Sequence, residues 1–337
     1  MDPYDVTIVG GGPVGLFGAA MAGMHGLSAK IIESLPQLGG QMTALYPEKC
    51  VFDVAGFPAA QAADIARQLE EQAMRYGPSV RLNETASGLE LLPEGGLRLH
   101  TTRGAHETRT LLIAAGIGAF SPRQLPAAGA DAFSGRGVYY IPPRSSAFAG
   151  ETVVVVGGGD TAVDWAREIA GYAKHVVLVH RREEFRALEG SLEEVRALGN
   201  VVLRTPCEID EIGGGDAVAW VRLRNVATGE TETLPAQAVV SGLGFHAQVG
   251  PLKTWGITFA GNAIPVDPSD MATNIPGVYA VGDIATYPGR LKLLALGFGE
   301  VGIAMARIRS FVHPHLAKTL PHSTSLDEPP RKTAAIG

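Results

Sequence analysis

Two stretches that each join a strand-like apolar run to a helix through a glycine-rich turn predict an α/β protein of two Rossmann-like domains, each a three-layer ββα stack. A second observation nests one domain inside the other. The run IAAGIGAF, ending at Phe120, returns as SGLGF, ending at Phe245, as two crossovers flanking an insertion would require. A chain of 337 residues also exceeds what one core usually supports. The expected division is a discontinuous domain at 1–120 and 246–314, an inserted domain at 121–245, and a tail at 315–337.

The first domain opens with the strand VTIVG, a small-residue helix ending near His25, and the strand AKIIES. An amphipathic helix is expected from about Ala60 to Tyr76, then the alternating strand GLRLHTT and the continuously apolar strand TLLIAAG. Ser121 to Pro126 reads as a linker. The second βαβ unit runs from TVVVVGGGD at Thr152 through a helix carrying Trp165 to HVVLVHRR, with further strands near Val201, Ala219 and Ala238. After the return crossover, GVYAVGD reads as a strand ending at Gly282 and Asp283, followed by a long helix taken to begin near Gly297.

Composition narrows the function classes. Hydrophobic residues at 46% and charged residues at 18% describe a soluble globular chain, and a net charge of −6 disfavours nucleic acid or an anionic membrane as a partner. The apolar run from Leu291 to Val312 contains Lys292, Glu300, Arg307 and Arg309, so it reads as a buried helix rather than a membrane span. A strand at residue 5 leaves no room for a signal peptide, and a cytoplasmic location is the default expectation. Cys50 and Cys207 are the two cysteines, with no CxxC pair; neither a metal site nor a local redox disulfide is written into the sequence, and each reads as a small packing residue.

The two glycine turns end differently. In the first, Gly10, Gly12 and Gly15 form GxGxxG, with Pro13 inside it, and Glu33 closes the next strand 23 residues after Gly10. Gly10 permits the tight turn, Gly12 lets the backbone approach a pyrophosphate at a helix N-terminus, Gly15 allows close packing, and Glu33 can accept from a ribose hydroxyl. In the second, Gly157, Gly158 and Gly159 are followed by Asp160, Thr161 and Ala162, the last an accepted variant of the third glycine. His180 stands where Glu33 stands in the first unit, and Arg181, Arg182 and Arg186 follow. Arginines there would grip the 2′-phosphate of NADP(H), whereas a carboxylate favours an unphosphorylated ribose. The competing reading is a solvated basic stretch balanced by Glu183 and Glu184. Two such sites imply electron traffic between two cofactors, and chain order assigns FAD to the first. Gly282 and Asp283 suit an acid bonding a ribityl hydroxyl, or a plain strand-to-turn aspartate.

Taken together, GGGPVG, IIES, LGGQMTALYPEK, DVAGFP, GGGDTAVDWA, HRREEFRA, GVYAVGDI and LGFGE closely resemble the thioredoxin-reductase-like ferredoxin–NADP reductases over nearly the whole chain. The CxxC of thioredoxin reductases proper would fall at Ile141 to Ser146, and the cysteine pair of the glutathione-reductase pattern at Gly39 to Ala44; this chain has no thiol at either place. The resemblance implies that Tyr46 of LYPEK stacks on one face of the flavin, and that His322 of the tail covers the other, reaching across from a partner subunit in a homodimer. It also places Glu33, Gly40, Gln41, Ala86, Phe120, Asp283 and Thr324 at FAD contacts, and Gly157, Gly159, Asp160, Thr161, His180 and the three arginines at NADP(H). Cys50 departs from the family's YPEKY. The implied activity is hydride exchange between NADPH and FAD, then single-electron exchange with ferredoxin or flavodoxin, with rotation between the domains bringing the cofactors together. Rival readings are an NADPH diaphorase or quinone reductase, and a sensor that binds both cofactors without turnover.

Overall fold

The computed structural model of the chain describes residues 3–315, 324 and 335–336, and only the backbone of 119–121, 246–248 and 335–336. The chain divides into two compact units, Met1–Ala119 with Ala247–Gly337, and Phe120–His246.

In the first unit the strand Tyr4–Val9 pairs in parallel with Ala29–Ile32 on one side and with Gly104–Ile113 on the other. Ser79–Arg81 extends the sheet beyond Ala29–Ile32, and Val278–Ala280 pairs in parallel with Leu111–Ile113. The strand Gly104–Ile113 belongs to two patterns at once. Its first half pairs antiparallel with Leu97–Thr101 and is largely exposed, while its second half, Thr110 to Ile113, is fully buried in the parallel sheet. The sequence switches at that point from alternating to continuously apolar, as burial on both faces demands. The longer helices of this unit are Pro13–Met24, Ala62–Met74 and Leu294–Val312. The last starts three residues before Gly297. Its cap is Leu293 in extended conformation with no side-chain capping bond, so the Ser, Thr, Asp or Asn signal that marks a helix start is missing from the sequence.

The second unit has a five-stranded parallel sheet in the order Val138–Tyr139, Ala238–Ser241, Thr152–Val156, His175–Val179, Val201–Arg204. Alternate valines of the central strand serve different layers. Val153 and Val155 pack with Trp165 and Ile169 of the helix Asp160–Ala170, while Val154 and Val156 pack with Ile209, Val221 and Leu223 of an antiparallel three-stranded sheet. A strand buried on both faces needs an unbroken apolar run, which TVVVV supplies.

A part-buried polar relay links strands of the first sheet. Lys30 donates to His106 Nδ1 (3.0 Å), His106 Nε2–H donates to Glu84 (2.6 Å), and the Thr101 hydroxyl donates to the same carboxylate (2.5 Å). Burial alone would raise the Glu84 carboxyl, but the bonds from Thr101 and His106 and the charge of Arg81 outweigh it and hold it below its ordinary range. A depressed carboxyl contributes stability above its unfolded pKa of about 4.3 and loses it as pH falls through the lower folded value. The gap in unfolding free energy between the native chain and Glu84→Gln is therefore expected to be present from pH 5 to 8, at about 1.5–3 kcal/mol, and to close on acidification below about pH 4 in thermal melts.

Candidate functional site

The first glycine turn is shaped by close backbone approach. Gly10 has φ +106° and faces the carbonyl of Ala114, where a Cβ would sit 2.5 Å from the oxygen. A Cβ on Gly15 would overlap the Gly10 carbonyl oxygen itself. Gly12 is the opposite case: its Cβ position is open, with Gly40 Cα the nearest atom at 3.9 Å. Gly12 is the N-cap of Pro13–Met24, with no side-chain capping bond and no acid in the first turn, and Pro13 occupies the first turn, where a missing N–H costs nothing. The helix N-terminus thus presents partial positive charge to the space in front of Gly12.

Glu33 lies under this turn, 5% exposed. Its carboxylate accepts from Gly11 N–H (2.6 Å), Leu35 N–H (2.8 Å) and the Ser34 hydroxyl (3.1 Å). Burial pushes its pKa up, opposed by those same bonds. Of the bonds above, Oε2 takes the one from Gly11 and Oε1 the other two, so Glu33 orders the loop and Oε2 still has a lone pair to offer a ligand hydroxyl.

Several other residues gather around the same turn. Gly40, φ +56°, approaches Gly12, and the short helix Gln41–Ala44 follows it, with Gln41 Nε2 3.5 Å from the Cβ position of Gly116. The side chain of Val14 packs against the Cβ positions of Gly282 (φ +72°) and Gly297. Tyr46 packs against a buried cluster that includes Met42 and Val54, as do Leu294 and Phe298. Burial raises the Tyr46 phenol pKa, and the charges of Asp283 and Asp53 raise it further, so the hydroxyl stays protonated. Ala86 is buried at the start of Ala86–Leu91. Gly10, Gly12, Pro13, Gly15, Glu33, Gly40, Gln41, Tyr46, Gly282 and Asp283 therefore share one region of the first unit. The Phe120 side chain and all of His322 lie outside the described residues; Thr324 is described and exposed.

The second turn is built on the same plan with one exchange. Gly157, φ +147°, faces the Gly242 carbonyl, and Ala162 fits because position 242 is glycine: a Cβ there would come within 2.7 Å of the Ala162 methyl. Gly159 caps Asp160–Ala170 with its Cβ position open. Asp160 accepts from Leu188 N–H (2.9 Å), and Arg186 N–H donates to the Gly158 carbonyl (2.7 Å), so the C-terminal end of the loop bearing the arginines is tied to the turn. Thr161 lies half-buried in the helix's first turn.

His180 is held differently from the arginines that follow it. Its ring lies against Gly158, where a Cβ would overlap it, donates Nε2–H to the Glu184 carbonyl (3.2 Å) and packs on Phe185 at 5.0 Å between centroids. Burial lowers its pKa, and Arg181, Arg182 and Arg186 lower it further against the Glu184 bond, which raises it. A neutral wedge, it adds no charge to the site. The arginines themselves are exposed, and among the described residues no carboxylate pairs with them, Glu183 and Glu184 included.

The sequence reading missed a buried ion pair next to Asp283. Glu300, 1% exposed, accepts from Gly282 N–H (2.7 Å), the Tyr287 hydroxyl (2.9 Å) and Arg290 Nε (2.9 Å). The one signal available was a glutamate in an apolar helix, which had served only to exclude a membrane span. Cys50 is exposed rather than packed, and Cys207 is half-buried; both are free thiols in separate units. Among the described residues no group of His, Cys, Asp and Glu is placed to hold a metal, and no helix is long and apolar enough to cross a membrane.

A fold of two α/β units, each with a glycine turn closed by a helix N-terminus, defines a dinucleotide-dependent oxidoreductase class. The profile of the pyridine nucleotide-disulphide oxidoreductase family matches residues 4–304, and the chain belongs to that family. It is 45% identical to a ferredoxin–NADP reductase of Geobacillus kaustophilus over 324 residues, 96% of this chain and 97% of that one. It is 44% identical to a ferredoxin–NADP reductase of Thermus thermophilus over 333 residues, 97% of this chain and 98% of the relative. Among solved structures it is similar to the thioredoxin reductase of Lactococcus lactis, with a TM-score of 0.70 at 25% identity, covering 92% of this chain and 99% of that one.

Proposed function

We propose that this chain is a ferredoxin–NADP(+) reductase, with FAD in the first unit and NADP(H) in the second, exchanging electrons with ferredoxin or flavodoxin. The observation that carries the assignment is the asymmetry of the two turns: a buried, loop-ordered Glu33 closes one, and three exposed arginines with no ion pair among the described residues close the other. The first turn fits a dinucleotide. Its backbone is open only at Gly12, its helix N-terminus is uncapped, and Glu33 keeps an acceptor for a ribose hydroxyl.

Bound FAD would supply the conversion between a two-electron donor and one-electron carriers. The chain's residues supply position and charge. Gly12 and the N-terminus of Pro13–Met24 would receive the pyrophosphate, Glu33 the adenosine ribose, and Asp283 a ribityl hydroxyl, with Gly40, Gln41, Ala86, Phe120 and Thr324 as further contacts. Tyr46, protonated beside Asp283, would form one wall of the ring site without moving a proton, and His322 of a partner subunit's tail would form the other. Arg181, Arg182 and Arg186 would select the phosphorylated ribose.

The test is anaerobic mixing with NADPH, then with ferredoxin. Bleaching of the flavin band followed by carrier reduction is expected; an unbleached band would leave a non-catalytic binder. Neither thiol is expected to take part. Cys50→Ser/Cys207→Ser should retain NADPH-dependent ferredoxin reduction within about twofold, the range of ordinary surface substitutions. A tenfold loss in stopped-flow turnover would instead point to a thiol relay.

A further inference from the structure

We infer that Arg290 is a cofactor contact that sets how strongly the first unit favours the reduced over the oxidised flavin, with Glu300 as its positioning residue. The inference rests on the reading that FAD occupies the Gly282–Asp283 turn. The Arg290 side chain is 4% exposed, and its Nε donates to Glu300 at 2.9 Å. Its Nη2 is fully buried, lies 3.8 Å from Asp283 Oδ1, and has no hydrogen-bond partner among the described residues. A buried guanidinium N–H without a partner costs about 1–3 kcal/mol or more, and native structures keep such a group where something else satisfies it.

Neutralising Glu300 accounts for only part of this arrangement. That carboxylate already accepts from Gly282 N–H and the Tyr287 hydroxyl, and Nε alone completes the pair. Nη2 points instead to the side where Asp283 stands, and Asp283 in turn acts on the charge state of Tyr46. A donor and an acceptor 3.8 Å apart, too far to bond each other well, suit one ligand hydroxyl or carbonyl that meets the donor while a neighbouring hydroxyl meets the acceptor. A polyol chain carrying a heteroaromatic ring has both.

The charge count around the pair gives the inference its sign. Glu300 and Asp283 bring two negative charges and Arg290 one positive. Reduction of a flavin adds negative charge to its ring, so the lone cation favours the reduced form and the carboxylates oppose it. Removing the cation and removing Glu300's charge must therefore act in opposite directions. A purely structural pair would show the same direction for both, or none.

The experiment compares Arg290→Gln, Arg290→Lys and Glu300→Gln by the midpoint potential of the bound flavin and by the Kd of FAD for the apoprotein. Arg290→Gln is expected to lower the ratio of reduced to oxidised affinity about tenfold, which is about 30 mV more negative for a two-electron couple. Arg290→Lys should restore the native midpoint, and Glu300→Gln should move it to more positive values. Shifts of the same sign in Arg290→Gln and Glu300→Gln, no shift in either, or a lysine variant no better than glutamine would overturn the inference. Should Arg290→Gln fail to fold, Glu300→Gln decides alone, a positive shift supporting and a null or negative one refuting. A native protein that takes up no FAD would refute the parent reading instead, a separate and visible failure.

Discussion

Gly15→Ala is expected to yield protein without flavin and with a much lower unfolding midpoint. The added methyl would overlap the Gly10 carbonyl oxygen, a backbone atom that no rotamer can move. Gly10 is itself pressed against the Ala114 carbonyl, so the strain passes to the strand Gly104–Ile113 or to the helix. The helix has little freedom to retreat: Leu16, Ala19, Ala20 and Ala22 are buried, and Gly18 lies with its Cβ position 3.1 Å from Leu112. Overpacking of this kind costs about 1–3 kcal/mol even where side chains can adjust, and more against main chain. The flavin-to-protein ratio after purification should fall to near zero, with a loss in midpoint visible by calorimetry. Gly12→Ala is the matched control. Its methyl enters open space, so the fold should survive while FAD affinity falls, because that space is the one proposed for the pyrophosphate. Full flavin content in Gly15→Ala would refute the packing account.

The second turn shows why the same position tolerates alanine. Ala162 is fully buried, yet its methyl is accommodated because residue 242, on the neighbouring strand's exit, carries no side chain. The sequence shows alanine as an allowed variant but not its partner, since Gly242 lies 80 positions away and only the parallel pairing of Thr152–Val156 with Ala238–Ser241 brings the two together. The general lesson concerns range. Strand and helix types were legible because they depend on the spacing of apolar residues within one element, and the glycine turns because their demands are local. What escaped depends on contacts between elements. Arg290 and Glu300 sit ten residues apart on opposite sides of an uncapped helix start, so neither period nor motif links them. His180 takes the position of Glu33 in the spacing of the second unit, but only the fold shows that its ring packs against Gly158 while the arginines face solvent. Cys50 was read as a packing residue from its type alone, and the two-residue strand Cys50–Val51 leaves it exposed.

Arg181→Ala/Arg182→Ala is expected to raise KM for NADPH about 100-fold while leaving kcat and the NADH parameters near their native values. A charge-assisted hydrogen bond to a phosphate contributes about 1.5–3 kcal/mol, and about 2.8 kcal/mol corresponds to two decades. Two features make the loss specific. The arginines carry no ion pair among the described residues, so removing them strands no buried carboxylate and should not cost stability. The loop that bears them is held by backbone bonds, Arg186 N–H to Gly158 and Leu188 N–H to Asp160, which the substitutions leave in place. Because the contacts are exposed, added salt should raise the native KM for NADPH and have less effect in the variant. Arg186→Ala alone should give a smaller rise, about tenfold, since two arginines remain. His180→Gln should leave the NADPH to NADH ratio nearly unchanged, because a neutral ring packed against Gly158 offers the phosphate no charge. An equal loss of NADPH and NADH in the double variant would mean that the arginines shape the loop rather than read the phosphate, and coenzyme choice would then rest on some other group.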